Sequence, residues 1–109
     1  MSGLSIVRSQ EGDWEELAVP GVFVKQLDVD RERRMVTMLV RMEPGTSYPR
    51  HLHAGSEGCF VLEGELKVGG EILRAGDYQR AGTGSTHDIQ STETGCLLLI
   101  TSSEDDELL

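Results

Sequence analysis

Apolar residues in this chain come in short runs, and glycine or proline separates most of them. A run at 14–17 followed by 21–27 (Gly-Val-Phe-Val-Lys-Gln-Leu) predicts the first strand region. Residues 34–42 form a longer stretch of Met, Val, Thr and Leu, the pattern expected of a strand buried on both faces. Pro44-Gly45 ends it. Further strands are predicted at 48–53, 57–62, 65–68, 71–74, 77–80, 86–90 and 96–101. Glu63-Gly64 and Gly69-Gly70 are read as turns between them. Many short antiparallel strands with Gly-rich turns predict an all-β fold, a double-sheet jelly roll. No repeat or linker interrupts the series, so a single domain over 1–109 is expected, with its core at about 14–101.

Composition agrees with that picture. Of 13 glycines, ten lie between Gly45 and Gly95, where the short runs are densest. Aromatic residues make up 5% of the chain, so the core must rest on Val, Leu, Ile and Met. No stretch of apolar residues is long enough for a membrane span, and the first residues lack the apolar core of a signal peptide. A cytoplasmic location follows. The net charge of −9, with ten Lys and Arg spread along the chain, excludes binding to nucleic acid through a basic patch. Arg31, Arg33 and Arg34 alternate with Asp30 and Glu32, as in a solvated hairpin turn. The acidic stretch at 102–109 reads as a solvated tail. Cys59 and Cys96 lack the spacing of a zinc or redox site, and both read as small buried hydrophobes.

All three histidines fall into one pattern with a glutamate. His51 and His53 are two residues apart, Glu57 follows, and His87 comes from a later strand. Side chains at i and i+2 share a face of a strand, so His51 and His53 can both look inward. Ala54-Gly55-Ser56 can turn the chain, after which Glu57 begins the next strand on the same side. A helical metal motif needs i, i+3 or i, i+4 spacing, and Pro44, Gly45 and Pro49 argue against a helix here. Three imidazoles and one carboxylate suit a divalent transition metal ion such as Zn, Fe, Mn or Ni, and leave positions open if the ion is six-coordinate. Of the flanking residues, Tyr48 has the wrong parity for the site in a regular strand, with Pro49 free to break the register. Thr86 and Arg80 lie near the second cluster, within reach of a bound anion but more in keeping with turn or surface positions.

The chain here resembles the cupin superfamily. Gly45, His51, His53, Glu57 and Gly64 stand at the fixed positions of the first cupin motif. Gly76, Gly84 and His87 match the second, which departs at Gly82, where the family has Pro, and at Ser91, where it has Asn. The flanking stretches are similar to the cupin domains of ChrR-type anti-sigma factors and of acetylacetone-cleaving dioxygenases. The resemblance implies a cupin double-stranded β-helix with His51, His53, Glu57 and His87 as metal ligands.

Two functions are expected from that centre. One is a metal-dependent dioxygenase-like enzyme, in which Fe(II) or Mn(II) binds a small enolisable molecule and activates dioxygen. The other is a ChrR-like zinc-binding sensor or ligand-binding module without catalysis. The first thirty residues hold no Cys or His, so the zinc-binding anti-sigma segment of ChrR-type proteins is not expected. A sugar isomerase or epimerase shares the fold without further support. Phe60 and Leu62 should face away from the metal if Glu57 and Cys59 face it. Covering them calls for the N-terminal strand or a second subunit, and a homodimer is expected.

Overall fold

The computed structural model describes residues 3–49, 51–52, 56–84, 86–87 and 89–104, and at 51–52 and 86–87 it describes the backbone. The chain forms β1 (Glu15–Glu16), β2 (Val22–Asp30), β3 (Met35–Met42), β4 (Ser47–Tyr48), β5 (His51–Leu52) and β6 (Glu57–Val68). It continues as β7 (Glu71–Arg74), β8 (Tyr78–Ala81), β9 (Thr86–His87), β10 (Gln90–Ser91) and β11 (Cys96–Ser103). Hydrogen-bonded neighbours run β1-β2-β3-β11-β6-β10-β4, with β7 and β8 also on β6, and β5 pairs separately with β9. Every pairing is antiparallel, giving an all-β, curled sheet of the jelly-roll kind.

β6 is the element that joins the two sides. Its first half pairs with β11 and with β8, and its second half pairs with β7 and β10. The turn expected at Glu63-Gly64 is therefore absent, and 57–62 and 65–68 are parts of one 12-residue strand. Gly64 bends the strand instead of reversing it. Its φ is +78°, and a Cβ there would collide with the Gly95 carbonyl oxygen and the Cys96 Cα on the adjoining strand. Opposite this bend the register slips between Leu97 and Leu98, a bulge that sharpens the local twist. Gly69-Gly70 does turn the chain, linking β6 to β7 with Gly69 at φ +58°.

Two other expectations change. β3 buries one face rather than two: Met38, Val40 and Met42 are buried, while Thr37 and Leu39 are half-buried and Arg41 is exposed. The run at 48–53 divides into β4 and β5, and the run at 86–90 divides into β9 and β10. Pro49 explains the first division, because it has no N–H to continue a ladder. β11 reaches Ser103, two residues past the expected end of the core.

The interior is aliphatic, as the low aromatic content requires. Val61 and Leu66 are fully enclosed, and Val22, Leu98 and Cys59 nearly so. Burial alternates along β6, with Glu57, Cys59 and Val61 inside and Phe60 and Leu62 outside. The β2–β3 connection is the solvated hairpin expected. Asp30 accepts from the Arg33 backbone N–H at 3.1 Å and from its guanidinium at 2.9 Å, and this contact holds its carboxyl below the ordinary range. Glu104, on the stretch read as a solvated tail, instead accepts from Arg31 at 3.2 Å across that turn. Among the described residues no helix is long and apolar enough to cross a membrane.

Candidate metal centre

Of the four candidate ligands, His51 and His87 are brought together by backbone pairing. They are direct partners in the β5–β9 ladder, which puts their Cα atoms roughly 4.5–5.5 Å apart. Glu57 opens β6, is 6% exposed, and shares the inward face with Cys59 and Val61. His53 lies outside the described residues, as do the side chains of His51 and His87. Among the described residues no group of three metal-ligating side chains occurs. The part of the donor set that is described fits a cation. The buried Glu57 supplies a carboxylate oxygen, and two strands carrying imidazoles pair directly opposite one another, a mixed oxygen and nitrogen donor set suited to a divalent first-row ion.

Glu57 also lines a cavity of about 40 Å³ enclosed by strands of the large curled sheet. Val22, Val24, Val40, Met42, Leu98 and Ile100 form its aliphatic wall, and Tyr48 and Gln90 join Glu57 as its polar groups. Tyr48 and Gln90 are cross-strand partners of β4 and β10, exposed by only 8% and 7%. Tyr48 is inside because Pro49 separates β4 from β5, so the parity of His51 does not carry back to it. Gln90 was not a candidate from sequence. Its neighbour Ile89 is 60% exposed while Gln90 is buried, the reverse of what polarity predicts.

Arg80, weighed as an anion contact, is exposed on β8. The inward positions of that strand are Gln79 and Ala81. The Thr86 side chain lies outside the description. Gln79 is the cross-strand partner of Cys59. Among the described residues its Nε2 has no acceptor in good geometry, and it faces the thiol sulfur. Burial pushes the Cys59 thiol up to about 12; the charge of Glu57 and the nearby Cys96 add to this, and the Gln79 amide opposes it. Burial likewise raises Cys96, against hydrogen bonds from Thr92 and Met42. Both cysteines are free, buried and held as neutral thiols, which fits a packing role.

The family model for the ChrR cupin-like domain matches residues 2–104. No curated protein matches the sequence. Among solved structures, an acetylacetone dioxygenase from Acinetobacter johnsonii superposes with a TM-score of 0.78 at 18% identity, over 94% of this chain and 74% of that one. The polyketide cyclase RemF from Streptomyces resistomycificus gives 0.79 at 21% identity, over 96% and 82%. A chain of the Rhodobacter sphaeroides complex of SigE with the anti-sigma ChrR gives 0.76 at 24% identity, over 88% and 52%. At these identities the likeness is one of fold.

Proposed function

The chain belongs to the ChrR cupin-like domain family, and we propose that it is a metal-dependent, dioxygenase-like enzyme acting on a small enolisable molecule. The observation that carries this reading is the buried Glu57 carboxylate, which lines an aliphatic cavity together with Tyr48 and Gln90. His51, His53, Glu57 and His87 would hold one divalent first-row ion, with iron or manganese the choice for this chemistry. When bound, that ion would supply Lewis acidity toward an enolate oxygen and a place for dioxygen.

The chain's own residues define what can enter. A cavity of about 40 Å³ is far below the roughly 300–1,000 Å³ of a drug-sized pocket, so the buried part of a ligand must be small. The wall formed by Val22, Val40, Leu98 and Ile100 excludes water and accepts an alkyl group. The Tyr48 hydroxyl and the Gln90 amide offer hydrogen bonds to a carbonyl or enol oxygen, which would fix its orientation. The dioxygenase from Acinetobacter johnsonii, with its similar fold, supports the choice of substrate class.

The test is elemental analysis of the purified protein, followed by oxygen uptake after addition of a β-diketone. Bound iron or manganese with diketone-dependent uptake is the expected result. Tightly held zinc with no uptake would overturn it in favour of a second reading, a zinc-stabilised ligand-binding module. That reading is supported by the extent of the family match, which spans nearly the whole chain.

A further inference from the structure

One amide interrupts an otherwise apolar row on the inner face of the large sheet. The row runs Met38 on β3, Ile100 on β11, Cys59 on β6 and Gln79 on β8, each the cross-strand partner of the next. The first three are buried and apolar. Register gives Gln79 the inward face. Its neighbour Tyr78 lies over Gly58 on the outside, where a Cβ would strike the Tyr78 hydroxyl, and Ala81, two residues on, is buried. Among the described residues, the Gln79 Nε2 is the one solvent-shielded side-chain nitrogen or oxygen without a hydrogen-bond partner. An amide N–H taken out of water and given no acceptor destabilises the fold. The Cys59 sulfur beside it is a weak acceptor and offsets little of that loss. Leucine or methionine would complete the row without it, but neither can donate.

A strong acceptor lies on the same face. Glu57 and Cys59 on β6 stand opposite Ala81 and Gln79 on β8, so the four make a square with Glu57 and Gln79 on one diagonal. Diagonal positions on a face of an antiparallel pair are about 7–8 Å apart, within reach of long side chains. Glutamate and glutamine are both long. Cys59 and Ala81, on the other diagonal, are short, and neither has a side chain that spans the gap. A carboxylate offers two oxygens and about four acceptor positions, so it can bind a cation and accept from an amide together.

We propose that Gln79 is a positioning residue for the metal centre, its amide N–H donating to the Glu57 carboxylate and holding one oxygen toward the ion. This rests on the reading of Glu57 as a metal ligand. A carboxylate drawn to an ion by one oxygen presents the other, and a donor there stops it from swinging. Hydrogen bonds to an ionised acceptor are stronger than neutral ones, so the carboxylate outcompetes the thiol for the amide.

Zinc affinity, measured by competition with a chromogenic chelator, tests this without reference to catalysis. Gln79→Met keeps the length of the side chain and removes the donor. It should bind zinc about ten- to a hundredfold more weakly, with an unchanged circular dichroism spectrum. Gln79→Leu should behave alike. In a Glu57→Gln background the carboxylate is gone, and adding Gln79→Met should then change affinity less than about twofold. A side chain that matters only for packing would lower affinity equally in both backgrounds, and that result would overturn the proposal. Equal zinc affinities of wild type and Gln79→Met would also overturn it and leave the metal centre standing. A wild type that binds no zinc, iron or manganese would remove the centre itself, and this role with it.

Discussion

His51 and His87 stand directly opposite one another in the β5–β9 ladder. Residues 36 positions apart in sequence are thereby held at the separation of a cross-strand pair, the arrangement in which two side chains on one face can share a partner.

If these two imidazoles ligate one ion, His51→Ala and His87→Ala should each lose most of the bound metal. Truncating either leaves the opposite strand in place, so the fold should survive. Metal stoichiometry by elemental analysis, with circular dichroism as the folding control, provides the measurement. Full stoichiometry in either variant would remove that histidine from the ligand set.

Gln90 bears on the ligand rather than the metal. Gln90→Leu keeps the volume and removes the amide facing the cavity. A lost hydrogen bond to a ligand is worth about 1 kcal/mol, so KM or Kd for a diketone should rise about five- to tenfold. Metal content should stay unchanged. A variant that binds ligand as tightly as wild type would exclude Gln90 from recognition.

Gly64 and Gly76 separate strain from collision. Both have positive φ, at +78° and +96°, but a Cβ at Gly76 meets open space while one at Gly64 meets the Gly95 carbonyl. Gly76→Ala should cost about 1–2 kcal/mol for the left-handed backbone alone. Gly64→Ala adds backbone overlap at the bend of β6, and should cost at least about 2 kcal/mol more. Urea unfolding of the two variants checks this, and equal losses would mean that β6 can shift away from β11.

Much of this fold could be read in advance, and the failures share a physical origin. Alternation along 57–62 was correct, because a strand with one face inside must alternate. Glu63-Gly64 looked like a turn because local composition cannot distinguish a reversal from a bend. The difference lies in Gly95 and Cys96, thirty residues away, which crowd Gly64. The pairing of His51 with His87 is equally non-local. Motif spacing named both histidines, but no local pattern carries their register. Gln90 is hidden for a third reason, since a buried polar side chain next to the exposed Ile89 breaks the hydrophobic pattern by which inward positions are recognised, while Tyr48 is masked by the register break at Pro49.

Cys59 gives the protein a pH dependence of definite sign. Its folded value is raised from 9.0 to about 12, so the buried neutral thiol favours the folded state. That contribution is complete below pH 9 and is lost as pH rises toward 12. Each unit is about 1.36 kcal/mol, which puts the total on the order of a few kcal/mol. Cys59→Ala removes the group. Unfolding free energies of wild type and variant should therefore converge, or cross in favour of the variant, between about pH 8 and about pH 11. A constant difference over that range would show that the thiolate is tolerated inside.

Lys25 offers the most direct test of how the N-terminal segment is anchored. Its ammonium holds the carbonyls on both sides of the Arg8–Ser9 linkage, with the Arg8 carbonyl belonging to the scissile bond itself. Trypsin cuts after arginine only when the flanking backbone can extend into its cleft, so this peptide must first leave Lys25. Lys25→Met keeps the aliphatic stem in its slot and removes the donors. Losing a charge-assisted bond to a carbonyl costs about 1.5–3 kcal/mol. Where opening is fast relative to cleavage, the rate follows the open population, so cutting after Arg8 should accelerate about tenfold or more. Arg33, in the exposed β2–β3 turn, is the internal standard, since Lys25 does not touch it and its cleavage rate should stay level. Unchanged cutting at Arg8 would mean that the segment is held by something other than Lys25.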